Sequence, residues 1–161
     1  MTTYIFILIM FSLGLYLMRQ HGRYEKEREA LLREVKKLFE ALGREITLFC
    51  RSPKLLSLEG ELPVLASHGF FRSLRASGDF GAALSESLPH LPLPHPVALL
   101  LSHYAEDFGV SDRTGEARAV SDLMERLSPV LEEEVGATKT RLRTFRIVTV
   151  ALLLSVAILL C

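Results

Sequence analysis

Five histidines and two runs of carboxylates are the residues in this chain whose types could do chemistry. The histidines are His21, His68, His90, His95 and His103. His90 and His95 flank the turn Leu91-Pro92-Leu93-Pro94, which could bring two imidazoles toward a metal, although solvated loop histidines are the ordinary outcome of such a pattern. Glu106-Asp107 and Glu132-Glu133-Glu134 are the carboxylate runs, and their context is that of helix surfaces. The chain carries no GxxxxGK[ST] loop to cradle a phosphate, no CxxC or HExxH metal motif and no G-x-S-x-G nucleophile elbow. The expectation is a protein with no catalytic residues, no bound metal and no cofactor. Cys50 sits on an apolar helical stretch as a small core residue, and with Cys50 expected in the cytoplasm and Cys161 at the outer face of a membrane the two would not pair.

The elements that would position these residues follow from where charge is excluded. Every charged side chain lies between Arg19 and Arg146. Residues 1–18 (MTTYIFILIMFSLGLYLM) and 147–161 (IVTVALLLSVAILLC) carry none, and the second stretch holds ten Ile, Val and Leu residues. A charge at the centre of a hydrocarbon layer costs about 2.5 to 3.5 kcal/mol on the insertion scale, so such stretches suit lipid. The reading is a transmembrane helix over 1–18 and another over 145–161, with Phe145 joining the second and Arg146 reaching the headgroups. The first is a retained span rather than a cleaved signal peptide, because it lacks a basic leader and ends in Leu15-Tyr16-Leu17-Met18. Arg19, Arg23, Lys26 and Arg28 follow the first stretch, and Lys139, Arg141, Arg143 and Arg146 precede the second. The positive-inside rule then places residues 19–144 in the cytoplasm, at the cell membrane. Nineteen basic residues balance nineteen acidic ones, so no basic excess points to nucleic acid.

Residues 19–144 read as one all-α domain, a small helical bundle whose two long antiparallel helices continue into the spans. The first helix covers 23–49, with Leu31, Val35, Leu38, Leu42, Ile46 and Phe49 in one stripe and Glu29/Arg33 and Glu40/Arg44 as i,i+4 pairs. Ser52-Pro53 starts a short helix, 63–76 forms a second, Asp79 caps a third to Leu88, and 95–108 forms a fourth that buries Val97, Leu100, Leu101, Tyr104 and Phe108. Gly109 suits the left-handed position that ends that helix, and Ser111 or Asp112 caps the next. The last helix carries Val120, Leu123, Met124, Leu127, Leu131 and Val135, and Pro129 predicts a kink or short break in it.

The architecture resembles the stage III sporulation protein AB family. The residues that carry the resemblance are the basic turn after the first apolar stretch, the Leu- and Ile-rich first helix, Phe80-Gly81-Ala82-Ala83-Leu84, and above all Phe108-Gly109-Val110-Ser111-Asp112, which corresponds to a Leu-Gly-x-Ser-Asp signature. Phe108 stands for the usual Leu, Glu116 for an expected Gln, and Pro129 interrupts a helix that is continuous in the family. The resemblance implies a non-enzymatic subunit of the channel between mother cell and forespore. It also implies likeness to the helical domain of type II secretion F platform proteins, with a secretion-type ATPase, other channel subunits and the lipid bilayer as partners, and no small-molecule substrate. Gly109, Ser111 and Asp112 would be the family turn. Arg72, Arg75, Glu106 and Asp107 are the exposed charges expected to dock a partner. The alternative is a membrane-tethered sensor or adaptor that signals through its helical stalk.

Overall fold

The computed structural model describes residues 2–46 and 55–160. Within that range nothing of the side chains at 2–8, 10, 113, 153, 157, 159 and 160 is described. The expected roles of Phe49 and Cys50 and the Ser52-Pro53 helix start lie outside the described residues. The described chain is all-α: α1 (Thr2–Arg44), α2 (Pro63–Ser67), α3 (Phe70–Ser77), α4 (Phe80–Ser87), α5 (His95–Asp107) and α6 (Arg113–Leu160), with 3-10 turns at Leu55–Leu58 and Leu88–His90. Among the described residues no helix is long and apolar enough to cross a membrane. The described side chains of the first uncharged stretch are those of Ile9 and residues 11–18, which is half of it.

The chain divides into two compact units, Arg28–Glu134 and a pairing of Met1–Glu27 with Val135–Cys161. In the larger unit α1 and α6 run antiparallel. Arg28 Nη2 donates to Glu134 Oε2 at 3.3 Å near one end, and a Cβ on Gly43 would stand 3.2 Å from Val120 Cγ1 near the other. The stripe on α1 is wider than its heptad-like spacing suggests: Leu32 and Phe39 are buried along with Leu31, Val35, Leu38, Leu42 and Ile46. A helix covered from two directions buries two adjoining rows rather than one. Glu29 pairs with Arg33 as expected, at 2.5 Å. Glu40 and Arg44 do not pair; both line an open groove beside Gly43 and Val120.

The short helices are set by local backbone chemistry. The helix expected over 63–76 is two helices, because Gly69 takes φ +89° and turns the chain between them. Its carbonyl accepts the N–H groups of Arg72 and Ser73, which starts α3. Gly78 ends α3 at φ +68°, donating its N–H to the Leu74 carbonyl. Asp79 caps α4 as expected, accepting from Gly81 N at 3.2 Å and Ala82 N at 3.4 Å. Leu62 stands at the cap position of α2 and has no side chain able to accept. Glu34, on α1, does this instead: its carboxylate accepts Val64 N–H at 3.1 Å and Leu65 N–H at 2.8 Å. Leu62 is thereby free to enter the core, where it is buried.

An aromatic cluster joins α1, α3, α4 and α5. Phe80 lies at its centre, with ring centroids 5.8 Å from Phe39, 5.9 Å from Phe70, 6.4 Å from Tyr104 and 5.1 Å from Phe108. Most of these contacts are edge-to-face, the arrangement the ring quadrupole favours. Gly81, next to Phe80, lets α4 approach α5 closely: a Cβ there would fall 2.8 Å from the Ala105 carbonyl oxygen and 3.1 Å from Phe108 Cβ. Leu100 and Phe108, expected in the core, are half-buried, and Ala105 takes a core position beside Tyr104.

α6 runs unbroken through Pro129, so of the expected kink or short break the break is not found. Proline removes one N–H and frees the carbonyl four residues back. Pro129 and Glu125 are both exposed, so the proline lies on a solvent-facing side of α6, where the loss of one N–H is tolerated.

Two substitutions check this account. Glu34→Ala removes the acceptor for two N–H groups in a buried place and should lower unfolding stability by about 2 to 3 kcal/mol, read by urea denaturation followed by circular dichroism. Gly81→Ala should also destabilise, by about 1 to 3 kcal/mol, because crowding against a backbone carbonyl outweighs the better helix propensity of alanine. A melting temperature unchanged or raised in the alanine variant would refute the close approach.

Candidate functional site

The turn between α5 and α6 is closed by side-chain hydrogen bonds from both of its ends. Phe108 leaves α5 in an extended conformation and Gly109 follows at φ +83°, the left-handed position expected of it. Of the two candidate caps, Asp112 is the one used: its Oδ1 accepts Gly115 N–H at 2.9 Å, and Thr114 Oγ1 donates to its Oδ2 at 3.3 Å. Ser111 is exposed. A Cβ on Gly115 would come within 2.8 Å of Ser111 Cβ, so the turn folds tightly over the first turn of α6.

Glu116 closes the loop. Its Oε1 accepts the Gly109 N–H at 2.7 Å, and a carboxylate in the first turn of a helix also sits well against the positive end of the helix dipole. The residue is 9% exposed, and its Oε2 has no hydrogen-bond partner among the described residues. Tyr104 is equally enclosed, and its hydroxyl likewise has no partner among them. Burial, and next the Glu116 carboxylate, push the Tyr104 hydroxyl above the usual tyrosine range, so it stays neutral. Nothing in the spacing of Tyr104 and Glu116 marks them as neighbours. The only cue was that Glu116 stands where the resemblance leads one to expect Gln.

The four charges expected to dock a partner do not form one site. Arg72 and Arg75 are exposed on α3, and Arg75 is held by Glu59 in an ion pair, which leaves Arg72 the freer of the two. Glu106 and Asp107 are exposed at the end of α5. Asp107 lines a groove of about 300 Å³ between α5 and α6, together with Leu100, His103, Tyr104, Asp122, Leu123 and Arg126. Asp107, Asp122 and Arg126 make no ion pair with any described residue.

Among the described residues no three His, Cys, Asp or Glu side chains converge as a metal site would require. His90 and His95 are both exposed beside the proline-rich turn. His21 belongs to the smaller unit, where its ring packs tilted at 45° against Phe145 with centroids 4.4 Å apart and its Nε2 stands 3.8 Å from Glu25 Oε1. Glu25 and Thr138 are buried there, and neither Glu25 Oε2 nor Thr138 Oγ1 has a hydrogen-bond partner among the described residues. The same unit exposes large apolar side chains: Ile9, Phe11, Leu13, Leu15 and Leu17 on α1 and Ile147, Val148, Leu152, Leu154 and Ile158 on α6 are all between 48% and 76% exposed. No family model, no curated protein and no solved structure matches this chain.

The left-handed conformation at Gly109 gives a direct check on the turn. Gly109→Val should cost at least about 1 kcal/mol, because a β-branched side chain is strained at positive φ. Gly109→Asn should cost less, since Asn tolerates that region. Equal melting temperatures for both variants and the parent would show that the turn is built differently.

Proposed function

We propose that this chain is a membrane platform subunit, held in a lipid bilayer by residues 1–18 and 145–161, whose helical unit docks a secretion-type ATPase. The observation that carries the reading is the row of exposed Leu, Ile, Val and Phe side chains on the outer stretches of α1 and α6. Apolar helix surface on this scale is costly in water and is stable where lipid covers it. The basic residues beside both stretches favour a cytoplasmic position for residues 28–134. The resemblance to the stage III sporulation protein AB family supplies the partner class and the setting, a channel assembled at the membrane of a sporulating cell.

Docking without catalysis fits the disposition of charge. Arg72, Glu106, Asp107 and Asp122 stand exposed with no ion-pair partner among the described residues, and such side chains set encounter rate and partner choice more than fold stability. Asp107 is the best placed, because it borders the groove between α5 and α6.

Co-purification of the full chain from detergent-solubilised sporulating cells tests the reading. A secretion-type ATPase should be recovered with it. The double reversal Glu106→Lys/Asp107→Lys should weaken that recovery about tenfold or more at low salt, with less effect at high salt, while circular dichroism stays unchanged. Full recovery with this pair and with Arg72→Glu/Arg75→Glu would exclude both surfaces. Failure to recover any ATPase with the parent chain would overturn the platform reading.

A further inference from the structure

The chain is neutral as a whole, but its charge is divided unequally. The unit made of residues 1–27 and 135–161 carries seven basic side chains against two acidic ones, whereas residues 28–134 carry twelve against seventeen. The seven are Arg19, Arg23, Lys26, Lys139, Arg141, Arg143 and Arg146, and all are exposed. None makes an ion pair with any described residue.

Their spacing is regular. Arg19, Arg23 and Lys26 follow one another at four and three residues along α1, so they share a face of that helix. Lys139, Arg143 and Arg146 do the same along α6. Of the two acidic side chains of this unit, Glu25 is buried and Glu27 is exposed beside Lys26; Thr138 is buried, and His21 lies against Phe145. The exposed apolar side chains begin directly beside the basic ones, with Leu17 two residues before Arg19 and Ile147 one residue after Arg146. A surface that is apolar on one side and unpaired cationic on the other matches a phospholipid in which acyl chain and phosphodiester are joined. Five of the seven are arginines, whose guanidinium forks can take a phosphate through two parallel hydrogen bonds.

We infer that these seven side chains form a collar that binds anionic phospholipid headgroups, selecting lipids of net negative charge over zwitterionic ones. The inference rests on the membrane reading above and adds the lipid class. Each basic side chain near an anionic surface shifts lipid association on the order of fivefold, and the effect weakens as salt shortens the screening length.

The test uses the full chain reconstituted in phosphatidylcholine vesicles. Spin-labelled phosphatidylglycerol and spin-labelled phosphatidylcholine are compared by the fraction of each that the protein holds motionally restricted. Phosphatidylglycerol should be preferred on the order of fivefold at low salt, and the preference should shrink as sodium chloride is added. Arg19→Gln/Arg23→Gln/Lys26→Gln should reduce it further, whereas Lys37→Gln, on the other unit, should not. The salt titration of the parent chain gives the answer even where a triple variant folds poorly. Equal restriction of both lipids at low salt would overturn the collar. Loss of the preference on adding inorganic phosphate at matched ionic strength would assign the site to free phosphate and overturn the lipid assignment. A chain stripped from the vesicles by alkaline carbonate would overturn the membrane reading itself, and the collar with it.

Discussion

The larger unit depends on a carboxylate buried where carboxylates are seldom found. Glu34 is 7% exposed, and it lies on the face of α1 that carries Leu31 and Leu38. An uncompensated charge there would cost several kcal/mol. The first backbone N–H groups of α2 supply the compensation, and the positive end of that short helix adds to it. The need is mutual. A five-residue helix cannot hold itself together in isolation, and its own cap position is occupied by a leucine committed to the core. One interaction therefore fixes where the chain begins its succession of short helices, and α3 and α4 follow from it at distances set by Gly69, Gly78 and Asp79.

The aromatic cluster makes the rest of the unit rigid. Phe80 touches rings from α1, α3 and α5 and from the turn after α5, so those elements meet at a single residue. Close contact between α4 and α5 at Gly81 holds Phe108 against Phe80, and Phe108 leads straight into the Gly109 turn that Glu116 closes. A chain of contacts thus runs from the centre of the core to the groove that Asp107 borders. The buried hydroxyl of Tyr104 and the free oxygen of Glu116 sit along it, two polar groups enclosed at some energetic cost beside the surface proposed for docking.

Much of this architecture was legible in the residues, and the failures have physical causes. Apolar spacing gave α1 and α5, Gly109 gave the end of α5, and the Asp79 and Asp112 caps were visible because a cap acts within three residues of its own position. The Glu34 cap was not visible, because the residues it joins are thirty apart. The single helix expected over 63–76 is two because Gly69 takes positive φ, a conformation that an isolated glycine in an apolar stretch does not reveal. Pro129 pointed to a kink or a short break, and the helix is not broken there, because a helix survives a proline where the carbonyl it frees finds another partner, which depends on the fold. Arg72 and Asp107 were identifiable as exposed charge, but the groove beside Asp107 and the pairing of Arg75 with Glu59 come from tertiary placement.

The fold is held at a few positions that admit almost no substitute and at many that admit several. Leu, Ile, Val, Met and Phe can exchange through most of a core if total volume is kept. Replacing Glu34 by a side chain that does not accept two hydrogen bonds costs stability, as does any added atom at Gly81, and Gly69 and Gly109 favour residues that tolerate positive φ. Evolutionary drift would therefore erase most of the letters of this sequence while leaving its shape intact. A distant relative would be recognised by a glutamate, then glycines thirty-five, forty-seven and seventy-five positions later, standing in otherwise unfamiliar text.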